Sequence, residues 1–194
     1  MINTNESFIF ERVGIMKAVG LSGSIIGSKT SICVDEVLKK ISMVDPEIET
    51  ELVDLKDYDV EFVRGVPLSS YNEDTQKVVS KILEADVLVI GTPIYQASIP
   101  GVLKNLFDHL PPDVFMGKIV GTVTTGGSDK HFLVTEYQLR PILSYFKAII
   151  STNNVFIHNS CFDINNVIID KEVQSRMYKL AEELVTLEKI NRSH

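Results

Sequence analysis

The segment Thr92-Pro93-Ile94-Tyr95-Gln96-Ala97-Ser98-Ile99-Pro100-Gly101-Val102-Leu103-Lys104 directly follows an unbroken apolar run, Val87-Leu88-Val89-Ile90. That order reads as strand, kinked loop and helix. It sets backbone amides and an aromatic ring at the carboxyl edge of a parallel sheet, where open α/β sheets take their ligands. A flat aromatic ligand against Tyr95 would receive hydrogen bonds from the turn. A purely structural turn with a half-buried tyrosine would read the same way, although Pro93 and Tyr95 have no obvious work in a generic core.

Two further loops carry chemistry. Ser22-Gly23-Ser24-Ile25-Ile26-Gly27-Ser28-Lys29-Thr30-Ser31 combines turn-forming glycines with hydroxyls where a helix begins. The free N–H groups of a helix start point outward there and suit a phosphate monoester; a capped strand-to-helix loop is the other reading. Gly23-x4-Ser28-Lys29-Thr30 differs by one residue from the triphosphate loop G-x4-G-K-[ST], since Ser28 replaces the second glycine. The Val87–Ile90 run ends in Gly91 rather than a metal-binding aspartate, which argues against a triphosphate hydrolase. The third loop, Thr124-Thr125-Gly126-Gly127-Ser128, has paired glycines that let a ligand edge approach the backbone closely; a plain tight turn is the alternative. All three loops should lie on one edge of a sheet, and one planar phosphorylated ligand explains them together.

The elements that must position these loops follow from periodicity. Strands are expected at Ala18–Ser22, Ile48–Leu55, Asp86–Gly91 and Lys118–Thr125, with a fifth near Ala148–Ile150 and Val155–Ile157. Helical spacing joins Ile32, Val34, Val37, Leu38, Ile41 and Val44, and later Ile99, Val102, Leu103, Leu106, Phe107 and Leu110. Asn72 is placed to cap the helix that buries Val78, Val79, Ile82 and Leu83. Ser98 is a candidate cap with Pro100 in the first turn behind it, and Pro111-Pro112 stops that helix. A helix is expected over His131–Lys147, and a terminal one carries Val173, Met177, Leu180, Ala181 and Leu184. Near-continuous apolar strands alternating with helices predict an α/β fold with a parallel sheet covered on both faces.

The 194 residues, 44% apolar and 23% charged, suit one globular domain with a core of its own. A net charge of −7 argues against nucleic acid or an anionic membrane as main partner. Cys33 and Cys161 form no C-x-x-C pair, and no leader pattern precedes the fold, so a reduced, cytoplasmic setting is expected. Cys33 falls on an apolar helix face and is read as core; Lys39 stands six residues on, where a C-x5-R phosphatase loop needs arginine. His109, His158 and His194 are isolated, and no metal-ligand spacing is seen.

With these motifs in hand, the chain resembles the NAD(P)H-dependent FMN reductase family. The resemblance rests on S-G-S…S-K-T-S, on T-P-I-Y-Q-A-S-I-P-G-V-L-K-N-L-F-D-H-L-P, and on T-T-G-G-S-D-K-H-F…E-Y-Q-L-R-P-I-L. It is similar above all to the reductases that supply reduced flavin to two-component monooxygenases, including those of sulfonate-sulfur scavenging. It implies a flavodoxin-like three-layer sandwich with a five-stranded parallel sheet in the order 2-1-3-4-5. It implies FMN as cofactor or substrate and NADPH or NADH as hydride donor. The FMN phosphate would fall on Ser22, Ser24, Lys29, Thr30 and Ser31, and the ribityl chain and ring on Pro93, Ile94, Tyr95, Gly126, Gly127 and Ser128. His131 falls at the family's G-G-x-x-x-H histidine, which would line the flavin pocket or a partner subunit; a capping or packing role is the other reading. Tyr137 falls at a tyrosine that in some members sits in a π-helical bulge at the tetramer interface; an ordinary half-buried tyrosine on an amphipathic helix is the other reading. A cytoplasmic homodimer or homotetramer with a partner monooxygenase is implied, and no nucleic acid or membrane. Related activities are reduction of quinones, azo or nitro compounds with FMN held permanently, and, from another class, a flavodoxin-type electron carrier. Relatives often carry Pro-Arg in the first loop where this chain has Ile25-Ile26, which leaves Lys29 as its one basic residue and the choice between NADPH and NADH open.

Residues 1–15 fit the pattern poorly, and Met16-Lys17-Ala18-Val19 reads as a native beginning, so residues 1–15 are expected to be a dispensable extension of a domain covering residues 16–194. Intact-mass measurement of the protein from its native source is expected to match a start at Met16; a mass matching Met1 refutes it.

Overall fold

The computed structural model describes residues 14–193. The expected extension therefore lies almost wholly outside the described residues. Within them, β1 (Lys17–Ser22), α1 (Lys29–Val44), β2 (Glu49–Asp54), α2 (Glu73–Glu84), β3 (Val87–Pro93), α3 (Gly101–Asp108), β4 (Ile119–Gly126), α4 (Arg140–Tyr145), β5 (Ile149–Ile150), β6 (Val155–His158) and α5 (Lys171–Arg192) follow one another. The strands form one parallel sheet in the order β2-β1-β3-β4-β5, with β6 also on β4.

Side chains alternate across each strand, and the two resulting cores lie on opposite faces. Val19, Leu21, Leu88, Ile90 and Val120 pack with Ile82, Leu103, Leu106 and Leu143 under α2, α3 and α4. Ala18, Val87, Val89, Ile119 and Val123 pack with Val34, Val37, Ile41, Leu180 and Leu184 under α1 and α5. Helix, sheet, helix is the three-layer arrangement expected of a chain whose strands are apolar on both sides. Asn72 caps α2 as its position predicts, its side chain accepting from Thr75 N at 2.9 Å. No helix among the described residues is long and apolar enough to cross a membrane.

The expected single fifth strand is split. Ile119 pairs with Ile149 and Val120 with Ile150, but Val123 pairs with Val155. Two extra residues have therefore entered the edge strand between these pairings. They are held out of register by Glu183 of α5, whose carboxylate accepts from Ser151 Oγ at 2.5 Å, Thr152 N at 3.0 Å, Thr152 Oγ1 at 2.7 Å and Asn153 N at 2.9 Å. Such inserted residues are typical of sheet edges.

The helix expected over His131–Lys147 is also broken into parts: a 3-10 turn at Asp129–His131, a π-helix at Thr135–Leu139 containing Tyr137, and then α4. Arg140 N closes the wide turn by donating to Thr135 O. Pro141 has no N–H to offer the carbonyl of Tyr137 four residues back, so a regular ladder fails at this point. Thr135 Oγ1 is tied to Thr124 Oγ1 of β4, which fixes the near end of the bulge.

Burial raises the Glu183 carboxyl, but the hydrogen bonds from Ser151, Thr152 and Asn153 overcome it and hold the group down at about 2, against an ordinary 4.5. A depressed folded-state pKa gives stability that is complete above the unfolded value and lost as pH falls from about 4.5 towards 2. The Glu183→Gln variant is expected to lose roughly 1–3 kcal/mol at neutral pH, and most of the difference from the parent should vanish in acid. Urea titrations at pH 7 and pH 3 measure both; an equal deficit at the two values refutes this role.

Candidate functional site

The carboxyl ends of β1, β3 and β4 meet the N-terminus of α1. The closeness of that meeting depends on Gly91. A Cβ there would collide with Val34 and come within 3.1 Å of Thr30 Cγ2, both on α1. Without it the helix settles on the sheet, and its first turn reaches the ends of the neighbouring strands. Ser28 stands at the N-cap but its side chain makes no cap bond, and the first turn carries no acidic residue. Among the described residues, no N-cap bond and no first-turn carboxylate compensates these amides and the positive end of the dipole.

The three loops singled out by sequence are bonded to one another in every pairing. Ser24 Oγ of the first lies 3.0 Å from Tyr95 Oη of the second. Ile94 N of the second donates to Thr125 O at the end of β4, 3.1 Å away. Thr30 Oγ1 lies 2.9 Å from Thr125 Oγ1 and joins the first to the third. Between them opens a cleft of about 340 Å³, lined by Ile26, Gly27, Ser28, Lys29, Thr30, Pro93, Ile94, Tyr95, Thr125, Gly126, Gly127, Asn159 and Asn166. Its lining combines a hydroxyl-and-amide part with one ammonium, Lys29, and a part walled by an aromatic and two glycines. A Cβ on Gly126 would press Phe156 at 3.1 Å, and one on Gly127 would press Asn159 Nδ2 at 3.2 Å.

The turn that presents Tyr95 is strained. Gln96 and Ala97 both have left-handed backbones, φ 48° and 58°, in a two-residue turn closed by Tyr95 N to Ser98 O and Ser98 N to Tyr95 O, each 3.0 Å. For alanine such a φ is costly and persists only where neighbours impose it. Gln138, in the π-helix, imposes it: its Nε2 donates to Ala97 O at 3.0 Å and its Oε1 accepts from Ser98 Oγ at 2.6 Å. The expected cap by Ser98 is consequently absent. The side chain is engaged by Gln138, its backbone belongs to the turn, and α3 begins at Gly101 with Pro100 at the N-cap rather than inside the first turn.

Of the residues expected at the site, Lys29, Thr30, Pro93, Ile94, Tyr95, Gly126 and Gly127 share the cleft. Ser22, Ser24 and Ser31 lie behind its wall, 0%, 4% and 8% exposed. Ser24 and Ser31 brace the loop, Ser31 Oγ by donating to Ser28 O at 3.0 Å. Ser22 Oγ is buried at the end of β1 with no hydrogen-bond partner among the described residues. Ser128 is turned to the next segment, where its Oγ accepts from Lys130 N, and His131 sits in the 3-10 turn that follows. Tyr137 is 74% exposed on the π-helix, away from the cleft. Asn159 and Asn166 were not foreseen. They belong to the connection after β6, and although Asp163-Ile164-Asn165-Asn166 reads as turn chemistry, nothing in a linear sequence says against which loop that turn lands.

Comparison with known proteins bears on this cleft. Residues 16–162 match the family model described as NADPH-dependent FMN reductase. A Geobacillus thermodenitrificans protein named NAD(P)H-dependent FAD/FMN reductase is 48% identical over 170 residues, 88% of this chain and 92% of that protein. An Escherichia coli protein named FMN reductase (NADPH) is 32% identical over 149 residues, 75% of this chain and 74% of that one. The crystal structure of an NADH:FMN oxidoreductase superposes with a TM-score of 0.74 at 25% identity, over 90% of this chain and 89% of the other. A Streptococcus pneumoniae flavodoxin, with a TM-score of 0.58 at 17% identity over 89% of this chain and 99% of that one, shares the fold alone. With the loops, the sheet order and a match over most of its length in agreement, the chain belongs to the NADPH-dependent FMN reductase family.

Proposed function

We propose that the protein binds FMN in the cleft and reduces it with NADPH or NADH, passing reduced flavin to a monooxygenase. The observation that carries this reading is the mutual bonding of three strand-end loops around one cleft with a phosphate-type end and an aromatic end. The residues fit the ligand. The uncapped start of α1 with Lys29 and Thr30 suits a dianionic phosphate. Pro93, Ile94, Tyr95, Gly126 and Gly127 would hold the ribityl chain and the ring; a Cβ at Gly126 would press Phe156 and one at Gly127 would press Asn159, which keeps this turn glycine-built.

When bound, FMN supplies the chemistry, acceptance of a hydride from the nicotinamide. The chain supplies orientation and charge complementarity. Backbone N–H groups at the Gly126-Gly127 turn can offset negative charge on the ring edge. The Ser24–Tyr95 bond holds the aromatic wall against the phosphate loop. No side-chain nucleophile is required. Burial pushes the Cys33 and Cys161 thiols up from their ordinary value, so neither is a thiolate at neutral pH. Exposed Phe132, Leu133 and Tyr137 on and before the π-helix are the surface we assign to a second copy of the chain in a homodimer or homotetramer.

Steady-state NADPH and NADH oxidation with and without added FMN tests the assignment. Saturable turnover that depends on added FMN is expected. Turnover indifferent to FMN but sensitive to a quinone, azo or nitro compound would make the protein a flavin-retaining reductase, and absence of turnover would make it a carrier. Light scattering on the same preparation should give a multiple of the chain mass; a single-chain mass refutes the assembly. Gln138→Ala removes two hydrogen bonds from the Tyr95 turn, and FMN affinity by calorimetry should fall roughly tenfold; unchanged affinity refutes the bracing role.

A further inference from the structure

The Ser28–Lys29 end of the cleft is met by the connection after β6, whose tip lies beyond the family match that ends at residue 162. The connection between β6 and α5 folds back as a small hairpin. Phe162 bridges to Ile168, Ile169 N donates to Cys161 O at 2.9 Å, and Asp163 N donates to Val167 O at 2.9 Å. Asp163 Oδ1 accepts from Asn165 N at 2.9 Å and Val167 N at 2.8 Å, fixing the tip. Asn166 sits there with φ 61°, a left-handed backbone that asparagine tolerates better than most residues.

This connection reaches the first loop at three points. Asn166 Nδ2 donates to Ser28 Oγ at 3.5 Å, the hydroxyl that does not cap α1. Lys29, the one basic residue of Ser22–Ser31, donates from Nζ to Asn159 Oδ1 at 3.4 Å. The same ammonium lies 4.9 Å from the centre of the Phe162 ring, a cation–π distance. Both hydrogen bonds are long, so a doubly charged oxyanion would readily draw these donors to itself. The donors and the helix amides converge where the cleft holds Gly27, Ser28, Lys29 and Thr30.

We propose that the Phe162–Ile168 hairpin is a clamp for the 5′-phosphate of the flavin. In it Asn166 donates to a phosphate oxygen, and Asn159 and Phe162 aim Lys29 at the same group. The inference rests on the flavin reading of the cleft and adds what separates FMN from riboflavin there: the preference depends on a carboxamide delivered from the last connection of the fold.

Two substitutions isolate it. Asn166→Gly keeps the left-handed turn and removes the carboxamide. Asn166→Asp keeps the turn and places a carboxylate beside the phosphate. Affinities for FMN and riboflavin are measured by calorimetry on flavin-free protein, with thermal melts confirming that each variant is folded. Asn166→Gly is expected to bind FMN about tenfold more weakly, Asn166→Asp more weakly still, and both to bind riboflavin within about twofold of the parent. Parental preference for FMN in both folded variants, or equal loss of both flavins, overturns the clamp and leaves the flavin cleft standing. Binding of neither flavin by the parent overturns the cleft reading and the clamp with it.

Discussion

Everything at the carboxyl edge depends on how closely α1 lies on the sheet. Gly91, paired with Ser22 of β1 and Val123 of β4, leaves no side chain between β3 and the helix. The helix start therefore reaches Thr125, and Thr30 can bond across to it. Were the helix lifted by a methyl group or more, the amides that suit a phosphate and the glycines that suit a ring would no longer face one cleft. Close packing makes such displacements costly, so an apolar contact fixes a polar site.

Around that contact the chain uses long-range bonds to hold local strain. The Gln96-Ala97 turn is imposed by Gln138 from forty residues downstream, and Gln138 stands where it does because the π-helix adds a residue to its turn. The bulge is anchored in turn on β4 through Thr124 and Thr135. Strand, bulge and turn thus form one mechanical unit, which explains why a widened helical turn persists so near the functional edge. The split edge strand follows the same logic on the other side of β4. There a half-buried carboxylate, Glu183, gathers backbone amides left out of the strand ladder, together with the Ser151 and Thr152 hydroxyls.

Much of this was legible beforehand. The strand and helix periods, the Asn72 cap, the three loops and their common edge can be read from residue types, because side-chain alternation and cap chemistry act over a few residues. The family motifs added the sheet order and the ligand. Less legible was anything set by contacts between distant segments. Ser98 has all the marks of a helix cap, yet a tertiary hydrogen bond claims it. Ser22, Ser24 and Ser31 look like phosphate ligands, yet they are buried behind the loop whose shape they support.

The sequence by itself determined the layers, the sheet edge that matters and most residues of the cleft, since all of these follow from local pattern. The tertiary structure alone decided which hydroxyls face the cleft and which brace it, where the fifth strand breaks, and that Asn159 and Asn166 come to the loop between β1 and α1. The physical reason is that a hydrogen bond spanning more than a hundred residues, such as Asn166 to Ser28, leaves no periodic trace in the chain. Its partners are chosen by the path of the backbone, and that path is set by the packing of both cores.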